Sequence, residues 1–347
     1  MQSTSREHGE RAMRLSPLLI PWVFAVWAAP AWADLPQKTP SIFAPASAPA
    51  HIIFQLSLFV LSITGGIFLV VAGLLTWALI RYRAREGDEN SEPAQIYGST
   101  QVELAWTVIP ILIVVVLFLT TARIIFAIQD APAPKDALDV TVIGHQYWWE
   151  FRYPKLGIVT ANELHVPVNT ATYLHLLSAD VDHSFWVPQL AGKTDLIPNH
   201  PNETWIEPEH TGLYLGQCAQ FCGVEHAKML LRVYVETPEE FQAWVKEEQQ
   251  PAVQDAAVAA GRHIFETEAC TNCHRIAGTS AEGTFGPDLT HLASRATIAA
   301  GAAMNSPQNL REWIQDPDHF KPGVLMPAMQ LNDGEIDELV AYLNTLH

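Results

Sequence analysis

Three apolar runs dominate the first part of the chain, and they differ in length. The first, "LSPLLIPWVFAVWAAP", follows Arg11 and Arg14 and ends at Ala31-Trp32-Ala33 before Asp34. A basic start, a short apolar core and a small-residue site predict a secretory signal over 1–33, with an uncleaved anchor as the alternative. The second run, "IIFQLSLFVLSITGGIFLVVAGLLTWALI" (52–80), holds no charge. The third, "LAWTVIPILIVVVLFLTTARIIFAI" (104–128), holds only Arg123, near its outer end where a long stem reaches the interface. Both exceed the roughly 20 residues that span a bilayer, so residues 34–130 are expected to form a transmembrane hairpin. Arg81, Arg83 and Arg85 directly follow the first span, which puts the turn on the cytoplasmic side and the rest of the chain outside.

From Pro132 the pattern changes to short alternating runs rich in β-branched and aromatic residues. They are "DALDVTVIGHQYWWEFRYP", "TATYLHLLSA", "TWIEPEHTGLYLGQC" and "KMLLRVYVE", separated by Pro, Asn and Gly turns. Such spacing predicts an antiparallel β-sandwich over 131–240. Residues 241–255 read as a charged connector, helical or loosely ordered. Beyond 256 the periodicity is helical: in the closing segment Ile336, Leu339, Val340 and Leu343 share one face, and Asn332 or Asp333 is placed to cap it. The fold class is therefore a multidomain membrane protein: a two-helix hairpin, an all-β sandwich and an all-α domain over 256–347.

Charge excludes one partner. With 37 acidic against 20 basic residues, a net charge of −17 repels nucleic acid. The last domain carries eleven acidic and five basic residues, which suits a basic protein partner.

The four cysteines, Cys218, Cys222, Cys270 and Cys273, could form two disulfides outside the cytoplasm. Their surroundings point elsewhere. "CTNCH" is a c-type haem attachment pattern in which Cys270 and Cys273 hold the haem and His274 becomes an axial ligand; a zinc half-site is the alternative. "GPDL" and "KPGVLMP" follow, and Met326 before a proline is the expected sixth ligand, with Met304 and Met329 as alternatives. A methionine ligand raises the haem potential, which suits an electron carrier. Over 256–347 the segment resembles class I cytochromes c, whose close helix contact Gly261 and Tyr342 would make.

The other pair lies in "GQCAQFCGVEHAKM" with His226 and Met229. Soft sulfur donors favour copper or zinc, and a thioether is a poor zinc ligand, so copper explains more of the residues. Here the chain resembles subunit II of the haem-copper cytochrome c oxidases, the caa3 type in particular. That family's motif is C-x-E-x-C-G-x-x-H-x-x-M, with a distal histidine in "HSFW".

The resemblance implies a cupredoxin-like fold and a binuclear CuA centre. In it Cys218 and Cys222 bridge two coppers, His183 and Met229 complete one ion, and His226 with the backbone carbonyl of Gln220 completes the other. Gln220 stands where glutamate is commoner, which puts in doubt a magnesium site shared with subunit I but not the copper. The resemblance further implies electron uptake at the aromatic strand Tyr147, Trp148 and Trp149, and a proton path whose cytoplasmic mouth is at Glu103. Aromatic packing and a solvated helix-start carboxylate are the plainer readings of these residues. The implied partners are oxidase subunit I, other oxidase subunits, and a cytochrome c or bc-type complex as donor. The implied location is a bacterial inner membrane with the C-terminal domains on the periplasmic side. A quinol oxidase subunit would lack the copper ligands, nitrous-oxide reductase would need a large propeller, and a free-standing tethered carrier would leave Glu103 without a task.

Overall fold

Two long helices, α1 (Ala48–Arg81) and α2 (Thr100–Gln129), are apolar enough to cross a membrane. The computed structural model describes residues 40–83, 95, 97–129, 134, 136–253 and 255–347. The expected signal over 1–33 and Arg85 in the expected cytoplasmic turn lie outside these. At 1.5 Å per residue both helices outrun the ~30 Å apolar core of a bilayer. Their large side chains face outward along most of their length, Phe68, Leu69, Phe118 and Phe126 among them. Such a surface suits lipid or partner helices. The helices start and end a few residues beyond the apolar runs, because a helix continues until its backbone meets a cap or a turn.

The start of α1 and the end of α2 meet the sandwich around residues 205–207. Trp205 Nε1 donates to the carbonyl of Ile128 at 2.9 Å, and Ser47 Oγ accepts from Glu207 N at 2.9 Å.

Ten strands build that sandwich: β1 (Leu138–His145), β2 (Trp148–Tyr153), β3 (Ile158–Ala161), β4 (Glu163–Pro167), β5 (Thr172–Ser178), β6 (His183–Trp186), β7 (Thr194–Leu196), β8 (Asn202–Ile206), β9 (Gly212–Cys218) and β10 (Leu230–Glu236). They form two five-stranded sheets, in the orders β3-β2-β1-β5-β8 and β4-β10-β9-β6-β7. The expected purely antiparallel arrangement is corrected: β1 runs parallel to β5, and β4 parallel to β10. The chain crosses between sheets before it returns, so these neighbours are not hairpin partners. Strand β10 alternates buried and half-buried positions as its sequence predicts. In β2 the alternation is lost, because Trp149 and Phe151 face the sandwich core while Trp148 and Glu150 are covered from outside.

Helix α3 (Pro238–Glu248) departs from the expected connector. Thr237 and Glu240 close a capping box at its start. Phe241 and Val245 are buried in the sandwich core, and the Trp244 ring stacks on His165 with centroids 4.5 Å apart. Residues 241–248 therefore belong to the sandwich.

The last domain comprises α4 (Ala259–Thr267), α5 (Cys270–Cys273), a small hairpin of β11 (Thr297–Ile298) and β12 (Ala303–Met304), α6 (Pro307–Gln315), α7 (Pro317–Phe320) and α8 (Asp333–Leu343). Apart from that hairpin it is helical, as expected. Asn332, rather than Asp333, caps α8 and forms a capping box with Glu335. Ile336, Leu339, Val340 and Leu343 are all buried, on the face their spacing predicts. Each such side chain contributes roughly 1.5–3 kcal/mol. Helix α4 crosses α8 at Gly261, where an added Cβ would run into the Glu338 carbonyl and come within 2.9 Å of Tyr342 Cβ.

Candidate metal centre and haem cavity

The loop between β9 and β10 brings both of its cysteines back against β6. Cys218, at the end of β9, pairs in register with Phe185, so its side chain lies beside His183 at the start of β6. Cys218 Sγ is 3.9 Å from Cys222 Sγ and 3.9 Å from His183 Nδ1. Cys222 Sγ is 3.7 Å from His226 Nδ1 and 3.9 Å from Met229 Sδ. The carbonyl oxygen of Gln220 lies 3.2 Å from Cys218 Sγ. All six residues named by the sequence thus converge on one pair of sulfurs. Both thiols are free and buried, and so are His183 and Met229.

Electrostatics prepares the cluster for a cation. The hydrogen bond from Cys222 lowers the Cys218 thiol to about 3, against the opposing effect of burial. Cys222, retaining the shared proton, is pushed up by that same contact and by burial. A metal ion would displace that proton and leave two thiolates. Burial pulls His183 down, but Asp180, 2.7 Å from its Nε2, and Cys218 together outweigh it, and the net shift is upward. The Asp180 contact fixes the ring so that Nδ1 faces the sulfurs. Two sulfurs, two imidazoles, a thioether and a carbonyl form a soft donor set that fits copper.

The second pair, Cys270 and Cys273, lies on α5 in the wall of a cavity of about 280 Å³. His274 Nδ1 is 2.8 Å from the Pro287 carbonyl, so it donates there and leaves Nε2 as the lone-pair nitrogen in the cavity. Burial holds this imidazole below its usual range and therefore neutral, as a ligand must be. Met326 and Met329 both line the cavity; Met304, the other alternative, is exposed on β12 and does not. Arg295 also lines it, buried with its Nε unpartnered. An orphaned guanidinium N–H in a mostly apolar cavity fits the carboxylates of a haem.

The cavity is not closed by the helical domain alone. Gln146, Tyr147 and Trp148 of the sandwich form part of its wall. Tyr147 and Trp148 are consequently buried, and Trp149 points the other way, its ring meeting the His183 ring edge-on at 6.1 Å. Tyr147 also covers the copper loop: its hydroxyl occupies the space a Cβ at Gly223 would need. Gln146 Nε2 donates to the Cys222 carbonyl at 2.6 Å. Glu103 stands apart in the first turn of α2, exposed.

Sequence reasoning missed Asp180, Arg295, Glu163 and Lys321. Asp180 precedes His183 by three in "SADVDHSFW", but Asp182 offers the same signal. The other three look like surface charges until the domains are assembled.

Comparison with known proteins gives the chain's relatives. The chain matches three family profiles: "Cytochrome C oxidase subunit II, transmembrane domain" over residues 36–124, "Cytochrome C oxidase subunit II, periplasmic domain" over 157–236, and "Cytochrome c" over 258–347. It is 35% identical over 287 residues to cytochrome c oxidase subunit 2 of Alkalihalophilus pseudofirmus, covering 80% of this chain and 82% of that one. With the namesake of Bacillus sp. (strain PS3) it shares 35% over 285 residues, 76% of this chain and 80% of the other. Among solved structures, the periplasmic domain of subunit II of cytochrome oxidase from Bradyrhizobium japonicum is 32% identical, covering 34% of this chain and 97% of that one, with a TM-score of 0.33.

Proposed function

Because the chain belongs to the cytochrome c oxidase subunit II family and carries a cytochrome c domain, making it part of a haem-copper oxidase, we propose that it is the electron-receiving subunit of that enzyme. In this reading a cytochrome c or bc-type donor delivers electrons to a covalent haem c, and a binuclear copper centre hands them to haem a in subunit I, where oxygen is reduced to water with proton pumping. The haem would be held by Cys270 and Cys273, with His274 and Met326 as axial ligands. The copper would be held by His183, Cys218, Cys222, His226, Met229 and the Gln220 carbonyl. The chain would lie in a bacterial inner membrane with both domains on the periplasmic side.

The observation that carries the proposal is the shared wall: Tyr147 lines the haem cavity and lies against the copper loop. Copper held by these residues would supply a one-electron store beside it. The protein's own part is to exclude water and to hold rings and sulfurs still. Tyr147 and Trp148 are covered, so an outside donor would meet the acidic cytochrome domain and not the aromatic strand. Glu103, at the start of α2, would stand at the mouth of the proton path. Gln220 would keep its carbonyl for copper while offering no carboxylate to magnesium.

Rapid mixing of the oxidase with a reduced cytochrome tests the order. The haem c band is expected to rise first and the copper band to bleach after it. Copper bleaching ahead of the haem would overturn the reading.

A further inference from the structure

Two charged side chains are buried where the sandwich meets the cytochrome domain, and each is hydrogen-bonded across the seam. Glu163, at the start of β4, is 3% exposed. Its carboxylate accepts from Ala296 N at 3.1 Å, Thr297 N at 3.0 Å and Thr297 Oγ1 at 2.9 Å, all in the cytochrome domain. Arg232, beside it in register on β10, donates to the same Thr297 hydroxyl at 2.8 Å. Lys321 projects the other way. It follows α7, is 1% exposed, and its Nζ donates to the Tyr147 carbonyl at 3.0 Å. Nearby, Lys228 of the copper loop donates to the Phe320 carbonyl at 2.8 Å.

Between these points lies a small apolar contact. The hairpin tip at Ala299 and Ala300 has φ of 53° and 56°, a left-handed backbone that alanine keeps only where its surroundings impose it. Ala300 thereby reaches Trp148 and Ala161.

Buried charges add little net affinity to an interface, since both give up water. They discriminate instead. Any shifted docking leaves a carboxylate or an ammonium buried without its partner, which is far costlier than an apolar mismatch. We propose that Glu163 and Lys321 are positioning residues that lock the two domains in one arrangement, so that haem-to-copper transfer proceeds without a docking step; this rests on the electron-transfer reading above. The two contacts work from opposite domains. Glu163 fixes the hairpin over Trp148, and Lys321 fixes the segment leading to Met326 against the backbone of Tyr147.

The test uses the assembled oxidase, with haem–copper electron equilibration followed after flash reduction of the haem in buffers of rising viscosity. Wild type should equilibrate at a rate that viscosity leaves unchanged. Glu163→Ala and Lys321→Met should each slow it severalfold or more, because a displaced domain lengthens the haem–copper path. Their rates should also fall as viscosity rises, because a domain search now precedes transfer. Copper content should stay at the wild-type level in both, and Glu163→Gln, which keeps an acceptor oxygen in place, should recover most of the rate. Wild-type rates in both Glu163→Ala and Lys321→Met would overturn the proposal, as would a viscosity-dependent wild type. Should Glu163→Ala fail to assemble, Thr297→Val removes one hydroxyl and no charge; slowing there supports the lock, and an unchanged rate contradicts it. A wild type in which haem and copper never equilibrate would sink the functional reading itself, a result distinct from failure of the lock.

Discussion

Cys222→Ser is expected to strip the chain of copper and stop turnover while the covalent haem stays in place. Cys222 Sγ is the hub of the cluster, within 3.9 Å of Cys218 Sγ and Met229 Sδ and 3.7 Å from His226 Nδ1. A serine hydroxyl is a hard donor that stays protonated near neutral pH, so it satisfies neither the softness nor the charge that copper asks of this position. Loss of an outer partner of a metal ligand costs about 10–100-fold in affinity, and loss of a direct sulfur donor should exceed that range. Copper per chain and cytochrome-driven oxygen uptake read the effect directly. Full copper with full uptake in Cys222→Ser would show that the loop is not the metal site.

The largest effect on stability is expected at Gly261. There α4 approaches α8 so closely that any Cβ meets the Glu338 carbonyl, and Tyr342 Cβ stands 2.9 Å from the same point. The carbonyl belongs to helix backbone and cannot swing away as a flexible side chain could. Gly261→Val must therefore separate the helices and disturb the packing of Phe265 against the Tyr342 ring, now 6.1 Å between centroids. Overpacking of this kind costs about 3 kcal/mol, which in a domain of this size lowers Tm by roughly 10–20 °C. Calorimetry of the haem-loaded chain should show that shift in the cytochrome transition, with copper content retained. A shift under about 2 °C, equivalent to a few tenths of a kcal/mol, would contradict the helix crossing.

Much of this architecture is legible in the chain because it depends on local pattern. The two apolar runs become α1 and α2, the alternation of "LLRVYVE" becomes β10, and the Asn332–Glu335 capping box starts α8. The candidate metal cluster is legible for another reason: five of its six members lie within residues 218–229, and only His183 comes from afar. What escapes is whatever depends on the assembly of domains. Helix α3 reads as a charged connector because its apolar residues, Phe241, Trp244 and Val245, are few and sit among acids and amides. Its place on the sandwich follows from Trp244 finding His165, a pairing no spacing rule predicts. The parallel pairing of β1 with β5 likewise depends on how the chain crosses between sheets. Glu163, Arg295 and Lys321 carry charges that sequence statistics assign to the surface. Their burial follows from a seam and a cavity built by residues more than a hundred positions away for Glu163 and Lys321.

The two cysteine pairs sit in different chemical surroundings. Cys218 and Cys222 face histidines and a methionine across a few ångströms, whereas Cys270 and Cys273 line an apolar cavity with His274 and two methionines. The most direct measurement is the copper and haem content of the purified full-length chain, read per polypeptide by elemental analysis and by the spectrum of denatured, covalently held haem. Two coppers and one covalent haem are expected, whereas zinc in place of copper, or two disulfides and no haem, would contradict the proposed electron-receiving role.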